Sequence, residues 1–140
     1  MSELLANYIN GKWIHGTGAG TPLFDPITGD ELVRVSGVGV DLKQAYEFAR
    51  RTGRPALAEL TYEERAKALS ACVVVLKQNR DRYLDISLQN SGTTAADSSI
   101  DVDGAIFTLS YYAKAGAALG AGRFMRDGDT VPLEIGRAHV

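Results

Sequence analysis

A chain of 140 residues is long enough for one domain, and its 45% hydrophobic and 23% charged content is ordinary for a globular protein, which excludes disorder throughout. A formal charge of -2 gives no electrostatic reason to expect nucleic acid or an anionic membrane as a partner. One cysteine, Cys72, leaves no internal disulfide and no cysteine-built metal site; with no basic-then-apolar leader and no apolar run of about 18 residues, a cytoplasmic chain is expected.

In chain order, Asn7 to Ile14 reads as a hairpin, because Asn10-Gly11 sets two residues tolerant of positive φ between short runs of β-forming residues. His15 on its flank is expected to be an exposed imidazole, not a base. Gly16, Gly18 and Gly20 follow; a phosphate cradle needs a helix start behind it, none is indicated, and the stretch reads as a loop. A second hairpin pairs Thr21 to Phe24 with Glu31 to Val35 around Asp25-Pro26-Ile27-Thr28-Gly29-Asp30, where proline presets φ and glycine closes the turn.

Asp41 caps a helix whose inner face is Leu42, Ala45, Phe48 and Ala49, with Gln44 spaced to complete a capping box. That helix should break at Gly53, with Pro55 opening a short turn through Leu60. Thr61 with Glu64 forms a second box. In the helix it starts, Leu69, Cys72, Val73 and Leu76 repeat at the spacing of one buried stripe, so Cys72 is expected to face inward. A thiolate nucleophile needs a positive or N-terminal helical environment and access to substrate; this position promises neither, and packing is its expected role. Arg80 to Leu88 continue as helix after Asn79, with Tyr83, Leu84 and Leu88 available for burial.

Asn90-Ser91-Gly92 ends that helix, glycine taking the left-handed conformation, and Thr94 restarts it by accepting from the N–H near Asp97. Apolar residues then fall on two rows, Ile100, Gly104, Phe107, Tyr111 and Val102, Ile106, Leu109, Ala113. One stripe suffices for a surface helix, so two rows predict a helix covered on most sides. After Ala113 the stretch Lys114 to Gly122 grades into a glycine-rich loop, and Arg123 to Pro132 reads as exposed connection. With no internal repeat, linker or second domain, the expected architecture is α+β: amino-terminal β-hairpins over 7–35, then an α-helical bundle over about 41–118.

The run Asn90 to Tyr112, with its Gly92 turn, the Asp101-x-Asp103 pair and the Tyr111-Tyr112-Ala113 end, resembles the helix before the cofactor-binding strands in the aldehyde dehydrogenase superfamily. The turn Asp25 to Asp30 resembles that family's Asn-Pro-x-Thr-Gly-Glu element, with Asp25 and Asp30 in place of Asn and Glu. Asn90 to Thr94, Asp101 to Gly104 and Phe107 to Lys114 are most similar to the branch acting on coenzyme A-linked semialdehydes in aerobic aromatic degradation. The resemblance covers Leu4 to Pro132, which in the family is only the beginning of a longer enzyme of α/β fold.

That resemblance implies a parent dehydrogenase that uses NADP, oxidises a CoA-linked aldehyde substrate and forms a homodimer, with residues 1–133 as the amino-terminal part of its cofactor-binding domain. The family's catalytic cysteine, glutamate base, oxyanion asparagine and cofactor-gripping strand-turn-helix would all lie further along. No catalytic, cofactor-binding or metal residue is therefore assigned here, and the fragment is expected to be inactive and to bind no NADP. Many family members hold a monovalent cation with backbone carbonyls and one aspartate, which falls by resemblance on Asp101 with the carbonyl of Phe24 opposite; a solvated or capping Asp101 and Asp103 is the plainer alternative. Ile135 to Val140 leave the family pattern and match the translation of a common sequencing adaptor followed by a stop, so 134–140 are expected to be adaptor-derived and His139 to have no function. The alternatives are the dehydrogenase part of bifunctional ring-opening enzymes of phenylacetate degradation and a stand-alone helical interaction module.

Overall fold

In the computed structural model, which describes residues 2–125, two hairpins precede a run of helices. The strands are β1 (Ala6–Ile9), β2 (Lys12–His15), β3 (Thr21–Phe24) and β4 (Glu31–Val35). The helices are α1 (Leu42–Phe48), α2 (Arg54–Glu59), α3 (Tyr62–Gln78), α4 (Arg80–Ser91) and α5 (Ala95–Ala118), with a π-helical turn, Ala49–Gly53, between the first two.

Turn chemistry closes both hairpins as expected. Asn10 and Gly11 have φ of 55 and 77, the pair of left-handed residues that matches strand twist in a two-residue connection. Across it Tyr8 faces Trp13, their rings 5.0 Å apart. In the β3–β4 turn the Asp25 carboxylate accepts from the N–H of Ile27 at 2.8 Å and of Thr28 at 3.1 Å, an Asx turn. The residues before β1 add a pairing that their own sequence does not signal. Leu5 N–H donates to the Arg34 carbonyl and Arg34 N–H to the Glu3 carbonyl, both at 2.8 Å, because the edge of β4 offers free backbone groups.

The described residues divide into two units. One comprises residues up to Pro55 with Arg80–Val102; the other comprises Ala56–Asn79 with the chain from Asp103. In the first, Gly92 has φ 65 and ends α4. A Cβ there would lie 2.9 Å from Pro26 Cγ, so the α4–α5 turn passes too close to the β3–β4 turn for any other residue. Thr94 caps α5 as read from the sequence: Asp97 N–H donates to its hydroxyl at 3.2 Å. The fully buried Ser98 hydroxyl lies 2.7 Å from Thr93 Oγ1 and 3.1 Å from Ser87 Oγ, which keeps a polar group satisfied where α4 and α5 meet.

In the second unit α3 buries Ala66 and Val73, and α5 buries Ile106, Ala113 and Ala115. Thr61 and Glu64 form the reciprocal box: Thr61 N–H donates to Glu64 Oε2 at 2.8 Å and Glu64 N–H to Thr61 Oγ1 at 3.2 Å. Two more free N–H groups of that helix start are met from the loop after α5. Tyr62 donates to the Gly122 carbonyl at 2.8 Å and Glu63 to the Gly120 carbonyl at 3.0 Å.

Five sequence expectations change. The chain does not break at Gly53; the π turn carries it into α2, and Pro55 sits in that helix's first turn, where its missing N–H costs little. Only half of the first capping box forms: Gln44 N–H donates to Asp41 at 2.9 Å, while the Gln44 side chain accepts from Asn10 Nδ2 at 3.3 Å. Of the face assigned to α1, Ala45 is half-buried and Leu42 and Phe48 are exposed. α5 persists to Ala118 instead of loosening after Ala113, since alanine is the strongest helix former and Ala113 and Ala115 are buried. One of its two apolar rows, the one through Ile100 and Phe107, is open, with those residues 70% and 72% exposed.

Candidate functional site

A sixth change concerns the one thiol. The buried stripe of α3 runs through Ala66 and Val73, and Cys72, one residue off that line, is exposed. It opens onto a shallow apolar trough of about 420 Å³ shared with Ala71, Val75 and Leu76. Among the described residues no cation, base or helix N-terminus lines that trough, so none of them activates a thiolate there. Cys72 is accessible but has no catalytic setting.

The glycine-rich stretch forms an open cavity of about 470 Å³, walled by Asn7, Thr17 to Thr21 and Val35 to Val38. Its Asn7 and Ser36 side chains are committed to backbone. Asn7 Nδ2 donates to the Ser36 carbonyl and Ser36 Oγ to the Thr17 carbonyl, both at 2.8 Å. The stretch runs into strand β3 and not into a helix. It therefore lacks the aligned N–H groups and dipole that grip a nucleotide's phosphates, and the described residues do not fit a nicotinamide cofactor there.

The remaining candidates are exposed. His15 is exposed on β2, its Nδ1 3.1 Å from the Leu4 carbonyl. Asp101 is exposed on α5 and Phe24 is 52% exposed at the end of β3. Among the described residues no three histidine, cysteine, aspartate or glutamate side chains gather into a metal-binding group. His139 and the segment 134–140 lie outside the described residues.

The strongest electrostatic perturbations serve the scaffold. Glu31 is lowered from 4.5 to about 2, first by hydrogen bonds from the Arg34 guanidinium at 2.6 and 3.1 Å and then by the Ser2 hydroxyl. Glu64 is lowered by the Thr61 N–H and hydroxyl it accepts from. Lys67 is raised by the Glu63 carboxylate at 2.9 Å. Each sits at a strand pairing or helix start, which marks it as a fold contact and not a poised acid or base.

One feature passed over in reading the sequence is basic. The segment Ala49 to Pro55 holds Arg50, Arg51 and Arg54 and no carboxylate. All three are exposed on the π turn or directly after it. The signal was present as Arg-Arg-Thr-Gly-Arg, but its meaning depended on whether the segment was a loose turn or a helical surface.

Known proteins resemble the chain closely. The aldehyde dehydrogenase family profile matches residues 13–133. Over 129 residues the chain is 57% identical to the 3,4-dehydroadipyl-CoA semialdehyde dehydrogenase of Aromatoleum evansii, an alignment spanning 92% of this chain and 25% of that protein. A solved E. coli NADP-dependent enzyme superposes with a TM-score of 0.70 at 25% identity, over 79% of this chain and 23% of its own. An NAD-dependent benzaldehyde dehydrogenase from Corynebacterium glutamicum superposes with a TM-score of 0.69 at 15% identity, over 82% and 25%; that likeness shows the fold alone. The chain spans about a quarter of the length of these relatives.

Proposed function

Because the chain belongs to the aldehyde dehydrogenase family, we propose that it is the amino-terminal part of the cofactor-binding domain of an NADP-dependent dehydrogenase oxidising a CoA-linked semialdehyde in aerobic aromatic degradation. The observation that carries this reading is the 57% identity, held over 92% of the chain, to a relative named for 3,4-dehydroadipyl-CoA semialdehyde. The fold is that of the family, here as two hairpins and a helical part.

In this reading residues 1–133 are scaffold. The Gly92 turn against Pro26 and the capped starts of α3 and α5 hold helix faces in place for strands and catalytic groups elsewhere in the enzyme. NADP, when bound, accepts the hydride from the aldehyde carbon; none of the described residues is assigned to that step. The parent is a cytoplasmic homodimer in this proposal, and no described helix is long and apolar enough to cross a membrane.

The test is to sequence the source locus past Pro132 and express the continuous reading frame. NADPH formation with the CoA-linked semialdehyde, and none by residues 1–140 alone, supports the proposal. A genuine stop after Val140, or a full-length product that reduces neither NADP nor NAD, overturns it; a frame running on into a hydratase would move the assignment to the bifunctional ring-opening enzymes.

A further inference from the structure

The basic segment at the π turn has no structural employment. Arg34, Arg65, Arg80 and Arg123 each engage a carboxylate, a carbonyl or a hydroxyl, while Arg82, exposed on α4, stands singly without an ion pair or hydrogen bond to the described residues. No ion pair or hydrogen bond joins the side chains of Arg50, Arg51 or Arg54 to the described residues, although Glu47 lies within one helical turn of the first two in sequence. The chain carries a net charge of -2, so three unpaired guanidinium groups in five positions are a local reversal of sign. Like charges crowded at this spacing repel, and an anion relieves the repulsion.

The backbone sets the three in order. The Arg54 N–H donates to the Ala49 carbonyl, five residues back, which closes the wide turn. Tyr46, Arg50 and Arg54 thus follow one another at intervals of four along one side of the helical run. Tyr46 is 78% exposed and has no aromatic partner among the described residues. At a helical rise of about 1.5 Å per residue the row is roughly 12 Å long. It offers a flat aromatic face for a base to stack on, then two guanidinium forks that pair with phosphate oxygens, with Arg51 beside them.

We propose that Tyr46, Arg50, Arg51 and Arg54 form a docking site for the adenosine 3′-phosphate end of the CoA carrier on the substrate. This rests on the reading above that the parent enzyme takes a CoA-linked aldehyde. An adenosine phosphomonoester is also present in NADP, as the 2′-phosphate, so the shared chemistry is an adenine ring bearing a dianionic phosphate. Exposure at the surface suits the CoA end, which stays outside while the aldehyde at its other end enters the site.

The experiment uses the full-length enzyme and the triple variant Arg50→Gln, Arg51→Gln, Arg54→Gln, compared on the CoA-linked semialdehyde and on the same semialdehyde linked to pantetheine, which lacks the adenosine phosphates. The expected result is a rise of roughly tenfold or more in KM for the CoA-linked substrate, reduced at high salt, and no rise for the pantetheine-linked one. Equal KM for the CoA substrate in variant and parent, an equal rise for both substrates, or a rise in KM for NADP instead overturns the site. If the full-length enzyme produces no NADPH at all, the proposed function fails by itself. Calorimetric titration of free coenzyme A into the full-length protein then decides the site separately: binding lost in the triple variant and in Tyr46→Ala supports it, and absent or variant-insensitive binding overturns it.

Discussion

Cys72 misses the buried line of α3 by one position, which on a helix is a rotation of about 100° and is enough to carry a side chain from interior to surface. Because exposure without activation governs its chemistry, a thiol reagent should modify it in residues 1–140 at a rate within roughly tenfold of an unstructured peptide thiol. Stronger protection would place it back on the buried stripe. Cys72→Ala should leave the helix content unchanged by circular dichroism. At Glu31 the Arg34 guanidinium and Ser2 hydroxyl hold the carboxyl near 2, below its ordinary 4.5. The folded value lies below the unfolded one, so the contribution of this pairing is present above about pH 4.5 and is lost as pH falls toward 2. The pair is at the surface, where solvent and salt keep that contribution small. Carbon NMR of the Glu31 carboxyl should show a midpoint near 2 that moves up toward 4.5 in Arg34→Gln; a midpoint already at 4.5 in the parent would mean that Arg34 does not hold it.

Among the elements, α3 is the one whose start is over-determined. The Thr61–Glu64 box answers two of its terminal N–H groups, and the carbonyls of Gly120 and Gly122 answer two more. Thr61→Ala in the full-length enzyme should therefore destabilise the fold by about 0.5–2 kcal/mol, read from the shift in urea midpoint, with Thr61→Ser close to neutral. An effect no larger than that of an exposed surface substitution on the same helix would show the box to be dispensable. The box was readable from its spacing alone; the two glycine carbonyls were not, because they come from about 60 residues away along the chain and no local pattern announces them. The π turn is a similar case. Gly53 and Pro55 both argue for a helix end, yet one extra residue per turn lets the chain stay helical past them.

Across the molecule, apolar side chains outnumber the places that cover them. The buried apolar residues among those described are Ala66, Val73, Ile106, Ala113 and Ala115, while Trp13, Ile100 and Phe107 are each at least 70% exposed. Fully burying one large side chain is worth about 1.5–3 kcal/mol, so a buried set made of alanines besides Val73 and Ile106 provides little of the driving force a domain of this length uses. Residues 1–140 alone should bind a hydrophobic dye and associate, and should show weak near-UV dichroism. A monomer with a sharp cooperative melt and no dye binding would contradict this. In the full-length enzyme the same dye signal should be absent if the open row of α5 is covered.

Turns, caps and helix starts were settled by the sequence itself, since Asn10-Gly11, the Asp25 turn, Thr61 with Glu64, Gly92 and Thr94 act through bonds to residues two to four positions away. Such bonds form whatever the rest of the chain does. Which side of each helix is buried was decided only in three dimensions. The periodicity of α5 announces two apolar rows without saying which neighbours exist to cover them, and that of α3 locates a stripe only to within a residue, the interval that separates Val73 from Cys72. The same holds for the arginines after α1: their identities are plain in the chain, but it took the π turn to set Arg50 and Arg54 in line with Tyr46 on an exposed helical surface.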